Sequence, residues 1–417
     1  MDPTQWTPKT ASFRFDRPEQ AMSFRDRMLL AMRGYRAGRP VFAPRMDLWY
    51  IAQSARGTLP GAYAGMTMAH LADELGVGCH AVRGDYTLPR EPEALALRGL
   101  GFDNHPDYPF RVDVEGLELR FETEDDTFST TIETPKGPIG WTLRHTADMA
   151  RSGVSLPFVL RYPVETPKDL ERLTEVFDHL VIHPTPDAFG AFRDRVGDRG
   201  VAVANGCIAS SPLHLLLHDL MPMDRFFYAY HDDPLALARF SERATPLFDR
   251  MLAVLAESKA EVVLWGGNFD RDVTWPPFYD REIVPSLRRA RAVLGAAGKL
   301  VLCHTDGEND GLFDGYRAAG FDVAESVCPA PMTRNTLGQI RALMGSSICV
   351  WGGVPSVVLL PDSTSEREFR VWLDELCAEI GRRAEGSPLI LGVSDNVPPD
   401  ADFGRLMRIA AAIDAAG

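Results

Sequence analysis

The chain has 417 residues, with 44 Lys and Arg against 58 Asp and Glu, for a formal charge of −14. Apolar residues make up 45% and charged residues 24%, proportions that exclude a disordered chain. The acidic balance argues against a binder of phosphate backbones, which needs surplus cations to release counterions, so no nucleic-acid partner is expected.

The N-terminal residues MDPTQWTPK carry no apolar run, so a signal peptide is not expected. Eight short apolar runs then follow, at 41–46, 79–85, 200–207, 261–267, 299–304, 321–327, 347–353 and 388–394. They are nearly continuous rather than alternating, as strands buried on both faces of a parallel sheet are. Longer helical patterns separate them. Thr166-Pro167-Lys168-Asp169 offers a cap, a first-turn proline and an early acid. Asp233-Pro234 starts a long helix, and Gly298 and Gly320 stand where helices should stop. Ser365 and Glu368 form a capping-box pattern. The uncharged stretch 342–361 is rich in glycine and serine and reads as a buried strand and loop, not a membrane span.

Eight strands alternating with helices predict an α/β fold, a (β/α)8 TIM barrel, with an open doubly wound sheet as the rival. The whole chain, 1–417, reads as one such barrel. Residues 108–150 break the alternation: they are rich in Thr, Phe, Val and Ile at period two and predict an antiparallel β segment inserted after the second strand. Six scattered cysteines without a CxxC pair point to a reducing, cytoplasmic compartment.

Barrel chemistry sits at the C-terminal strand ends. Those ends carry Arg45 and Asp47, then Asp85, then Asn205 with His214 and His218 just beyond. Trp265, Asn268, His304, Asp306, Glu325, Cys328 and Asp395 follow. Asp and Asn also end strands simply because they suit turns, so the convergence matters more than any one of them. No phosphate loop and no GxSxG elbow is present. His304 and Asp306 lie two apart and can face the same way, which makes them candidate ligands for a divalent metal such as zinc. A histidine hydrogen-bonded to a neighbouring strand is the competing reading. Cys328 is either a third ligand or a small buried residue.

These strand ends together resemble the uroporphyrinogen decarboxylase superfamily, which includes the corrinoid-dependent methyltransferases. The resemblance spans roughly residues 20–415. It is carried by Pro44-Arg45, Gly84-Asp85, Ser211-Pro212 with His218, Cys303-His304-Thr305-Asp306-Gly307, Trp351-Gly352-Gly353-Val354-Pro355, and Leu391-Gly392-Val393-Ser394-Asp395-Asn396. For a decarboxylase it implies two strand-one arginines, a catalytic aspartate, a tyrosine and a strand-eight histidine. Here Arg45 and Asp85 match, Trp49 replaces the second arginine, His218 stands at the tyrosine, and the last histidine is replaced near Val393 or Asp395. Half of the anion clamp is therefore gone.

The methyltransferase branch fits better, chiefly through the inserted segment with Glu133-Thr134-Pro135-x-Gly137. The resemblance then implies transfer of a methyl group from a small, methyl-ether-like substrate to a corrinoid carried by a partner protein. Zinc assists in many members. The roles implied here are catalytic for Asp85, His218 and Arg45, substrate-binding for Asp47, Asn205, Trp265, Asn268 and Asp395, and metal-binding for His304, Asp306 and Cys328. Homodimers are common in such a superfamily. Two other readings stay open: decarboxylation of a small carboxylate or porphyrinogen-like substrate, and binding of a tetrapyrrole or corrinoid without turnover.

Overall fold

The computed structural model describes residues 22–35, 40–83, 88, 91–382 and 386–416. The strands among them are β1 (Val41–Phe42), β2 (Phe110–Val114), β3 (Glu118–Glu124), β4 (Thr127–Thr134), β5 (Gly137–Arg144), β6 (Phe158–Arg161), β7 (Leu180–Pro184), β8 (Val203–Cys207), β9 (Val262–Gly267), β10 (Leu300–His304), β11 (Val323–Val327), β12 (Cys349–Val354) and β13 (Leu389–Val393). Seven of these form one parallel sheet in the order β1-β13-β12-β11-β10-β9-β8. Each lies on one of the apolar runs. β1 is shorter than its run because Pro44 offers no N–H to a ladder and a helix, Asp47–Arg56, starts soon after.

The fold is mixed α/β, and the expected ring of eight regular strands is not what forms. The run at 79–85 makes only an isolated parallel bridge, Cys79 to Gly200, and residues 84–87 lie outside the described residues. Cys79-His80-Ala81-Val82 holds a single β-branched residue, a weak strand former. The segment nevertheless bonds to both edges of the sheet. Gly78 N donates to Phe42 O at 2.7 Å, Cys79 N to Arg199 O at 2.8 Å, and Val203 N to Ala81 O at 2.9 Å.

The antiparallel region is larger than expected. β3 to β6 form a four-stranded antiparallel sheet, and β2 pairs with β7 instead, from Phe110 opposite Pro184 to Val114 opposite Leu180. Antiparallel structure therefore runs past 150 to Pro184, because the helix Pro167–Asp178 leads the chain back to β2. Local capping behaves as the sequence dictates. Thr166 with Asp169 and Ser365 with Glu368 close capping boxes, and Gly320 ends its helix in the left-handed region. The stretch 342–361 becomes a helix end, β12 and a short turn. Among the described residues no helix is long and apolar enough to cross a membrane.

Side-chain alternation sorts the parallel strands into two layers. Val203, Val262, Leu264, Leu302, Val323, Cys349, Trp351 and Ile390 share the inner apolar cluster. Ala204, Val263, Cys303, Ala324, Val350 and Leu391 face the surrounding helices. One step along the inner face, His304, Glu325 and Trp351 are register partners on three neighbouring strands.

Gly352 permits that register. It has φ +147°, and an added Cβ would stand 2.5 Å from the Val327 carbonyl oxygen and 2.6 Å from its nitrogen. Gly352→Ala is therefore expected to reduce stability by about 2–3 kcal/mol in urea unfolding; unchanged stability would show that β11 and β12 are not so tightly apposed.

Candidate active site

A cavity of about 280 Å³ opens above the inner layer. Strand ends supply Arg45, Asn205, Asn268, His304, Asp306, Glu325 and Asp395 to its wall. Three of the turns beneath it are held in unusual backbone. Asn268, Ser326 and Asp395 all have positive φ, at 52°, 67° and 56°, where non-glycine residues are uncommon. Ser326 Oγ accepts the backbone N–H of Asp395 at 2.6 Å, so one strained residue holds the next. Strain of this kind concentrates where geometry matters more than local comfort.

Glu325 is the centre of the polar wall. It is buried, with its Oε1 2.9 Å from His80 Nε2 and its Oε2 2.6 Å from His304 Nδ1. Burial alone would raise its pKa, but the two imidazoles, His304 foremost, hold it well below the usual carboxylate range. Burial would likewise favour a neutral His304. The Asp306 and Glu325 carboxylates override it and lift the His304 pKa well above that of an ordinary histidine. His304 Nε2 lies 3.6 Å from Asp306 Oδ2 and 3.9 Å from Asp395 Oδ1. Asp395 in turn takes a hydrogen bond from Arg45 Nη1 at 2.9 Å. Asp47 accepts from Arg45 Nε at 2.9 Å and from the Asn396 amide at 3.2 Å, standing behind Arg45 rather than lining the cavity.

His218 reaches the opposite wall from a π-helical turn, Leu216–Leu220. Such wide turns recur at functional sites, and this one brings both His218 and Asp219 to the cavity. His218 Nδ1 stands 2.8 Å from Asp219 Oδ2. Burial disfavours a charged ring there, but Asp219 outweighs it and the His218 pKa is raised. Asp219 is held low by His218 and by Arg98, whose Nη2 is 3.3 Å away, against the opposing effect of burial. The Asn268 amide lies 2.6 Å from His218 Nε2. A half-turn of that amide presents oxygen to a charged ring or nitrogen to a neutral one, so Asn268 can follow either state. His214, one turn earlier, is buried and pushed down to about 3, so its neutral ring serves packing against Phe269 and accepts from Ser210.

The remaining expected residues divide. Asn205 lines the cavity and donates to the Tyr108 hydroxyl at 2.6 Å. Trp265 does not reach it: this side chain is fully buried in the outer layer against Phe248, and Leu264 takes the inward position. Alternation along β9 points Leu264 inward and Trp265 outward. Trp49 stacks on Phe403 and Trp351 packs on His80, both buried. The aromatic wall comes instead from Phe102, Tyr108 and Phe110, which lead into the antiparallel region. Cys328 is also absent from the lining; its sulfur lies against the Pro329 carbonyl, and burial pushes its thiol up to about 11. Asp85 lies outside the described residues.

The donor set expected for zinc is not assembled. Among the described residues no three His, Cys, Asp or Glu side chains are arranged to hold a metal ion. His304 has Nδ1 committed to Glu325, and Cys328 is elsewhere. His80, Arg98, Asp103 and Asp219 also line the cavity, although none of them stands at an expected strand end. Arg83, at the end of the irregular segment, pairs with Asp103.

No family profile matches the chain, and no curated protein matches it. Among solved structures it is similar to a methyltransferase from Methanosarcina mazei, with a TM-score of 0.50 at 14% identity over 94% of this chain and 99% of that one. At that identity the likeness is one of fold.

Glu325→Gln tests the central contact. The raised His304 pKa means its ion pairs stabilise the fold fully below the ordinary histidine range and are lost as pH rises through the raised value. The variant should lower the His304 titration midpoint seen by NMR and reduce stability by about 3 kcal/mol below that midpoint. An unmoved midpoint would show that Glu325 does not set the charge of His304.

Proposed function

We propose that this chain transfers a methyl group from a small methylated donor to a corrinoid carried by a separate protein. The observation that supports it most is an acid poised at the wall of the cavity: His218, kept prone to protonation by Asp219, beside Asn268. The size of the cavity adds to this. A space of about 280 Å³ suits a small molecule. A corrinoid supplies a nucleophilic cobalt that accepts the methyl group, and it would be presented at the mouth by its own carrier. The fold likeness to a methyltransferase agrees with this reading.

A methyl ether or similar donor fits as follows. Phe102, Phe110 and Leu156 give the cavity apolar surface for the donor's carbon skeleton. Loss of the methyl group leaves an alkoxide or phenoxide, a poor leaving group. His218 Nε2–H transfers its proton to that oxygen as the C–O bond breaks, so an alcohol departs and a neutral ring remains. Asp219 holds the ring by Nδ1 and keeps it protonated beforehand, as a positioning residue. Metal assistance forms no part of this reading, because among the described residues no three donor side chains are arranged to hold an ion. Decarboxylation is less well supported: Arg45, Arg83 and Arg98, the cations that would clamp a carboxylate, each already face one.

The test is conversion of cob(I)alamin to methylcobalamin, followed by absorbance, with a panel of small methyl ethers and other methylated compounds. At least one donor should methylate the cobalt, and His218→Ala should slow it about 100-fold. Release of CO2 from small carboxylates without methyl transfer would replace this reading with the decarboxylase one. Asp219→Asn gives an independent readout: the rate should fall at a lower pH than in the wild type, because the ring loses the carboxylate that raises its pKa.

A further inference from the structure

The charges around the cavity are unevenly placed. On the side built by β10, β11, β13 and the Arg45 turn, Arg45, His304 and His80 meet four carboxylates: Asp47, Asp306, Glu325 and Asp395. With both rings charged one negative charge is left over on that side among the described residues, and each neutral ring adds another. The sign of the imbalance therefore does not depend on the state of either ring. On the other side, Arg83 pairs with Asp103, while Arg98 and His218 share Asp219, so the surplus of negative charge is local to the Arg45 side. The arginines that could draw an anion are thus already matched.

The surplus lies where a ligand can meet it. Glu325 and Asp47 are buried and bound to His304, His80 and Arg45. Asp306 and Asp395 are the acids whose side chains stay open to the cavity, at 34% and 57% exposed. Their partner His304 approaches no closer than 3.6 Å and 3.9 Å, beyond hydrogen-bonding distance. Phe102, Tyr108 and Phe110 line the same space, and aromatic faces attract cations through their negative π surface.

We propose that the small molecule this cavity accepts carries a positive charge, an ammonium or related onium group set against Asp306 and Asp395 within reach of the aromatic wall. This deepens the methyl-transfer reading by naming the class of its donor: a methylated compound that is itself a cation. It reverses the expectation that Arg45 holds a substrate anion. Arg45 instead anchors Asp395, and so positions one of the two carboxylates that recognise the cation.

The experiment uses three probes of nearly equal shape and different charge. Choline is the cation, tert-butylethanol its neutral carbon isostere, and tert-butylacetate the anion. Titration calorimetry on the full chain should place choline tightest, about tenfold ahead of tert-butylethanol, with tert-butylacetate weakest. Raised salt should narrow the gap. Asp306→Asn and Asp395→Asn should each erode the choline advantage, while their retained binding of tert-butylethanol shows that the cavity is intact. Equal binding of choline and the neutral isostere, tightest binding of the anion, or no binding of choline would each overturn the proposal. Its failure is separable from that of the methyl-transfer reading. Choline binding with no methyl transfer to cob(I)alamin from any donor leaves the cation site and removes the methyltransferase. Methyl transfer from neutral ethers alone does the reverse.

Discussion

A single buried carboxylate organises the inner face of this protein. Glu325 lies between His80 and His304, at 2.9 and 2.6 Å, with almost no exposure to water. An ionised carboxylate loses several kcal/mol of hydration in such a place, and only close, well-directed partners offset it. The two imidazoles are those partners, so Glu325 ties the irregular segment at 78–82 to the middle of the parallel sheet. Trp351, its register neighbour, packs on the His80 ring and completes the layer.

From that centre the polar groups run outward. His304 carries its charge toward Asp306 and Asp395, Asp395 meets Arg45, and Arg45 is backed by Asp47 and Asn396. The strained turns at Ser326 and Asp395 belong to this chain of contacts. On the far wall a second, smaller network of Arg98, Asp219, His218 and Asn268 is arranged differently: there one carboxylate serves two cations. The first network is rich in negative charge and the second is prone to protonation. A cavity with these two faces can recognise and react at separate points of one small molecule.

Where the chain departs from the expected pattern, the departures are mutually consistent. Trp49 in place of an arginine stacks on Phe403, and the remaining Arg45 is neutralised by neighbouring aspartates. Neither position leaves a cation unmatched.

Much of the framework was legible beforehand. Buried parallel strands need unbroken apolar runs, and helix ends use side chains three residues apart, so β8 to β13 and the capping boxes at Thr166 and Ser365 follow from local rules. The ends of those apolar runs also put His304 and Glu325 at or near the ends of their strands. The sequence by itself thus determined seven of the parallel strands and the polar residues at their ends, but not the irregular segment at 79–82 or the extent of the antiparallel region. It did not determine which way each of those residues faces or what it meets. Trp265 turned outward because strand parity is fixed by packing against helices, and a one-residue error reverses it. Glu325 found His80, 245 residues away, only when the tertiary fold closed the distance. The π turn that delivers Asp219 and the aromatic residues of the antiparallel region are likewise set by long-range packing, so only the tertiary structure decided the charge and shape of the cavity.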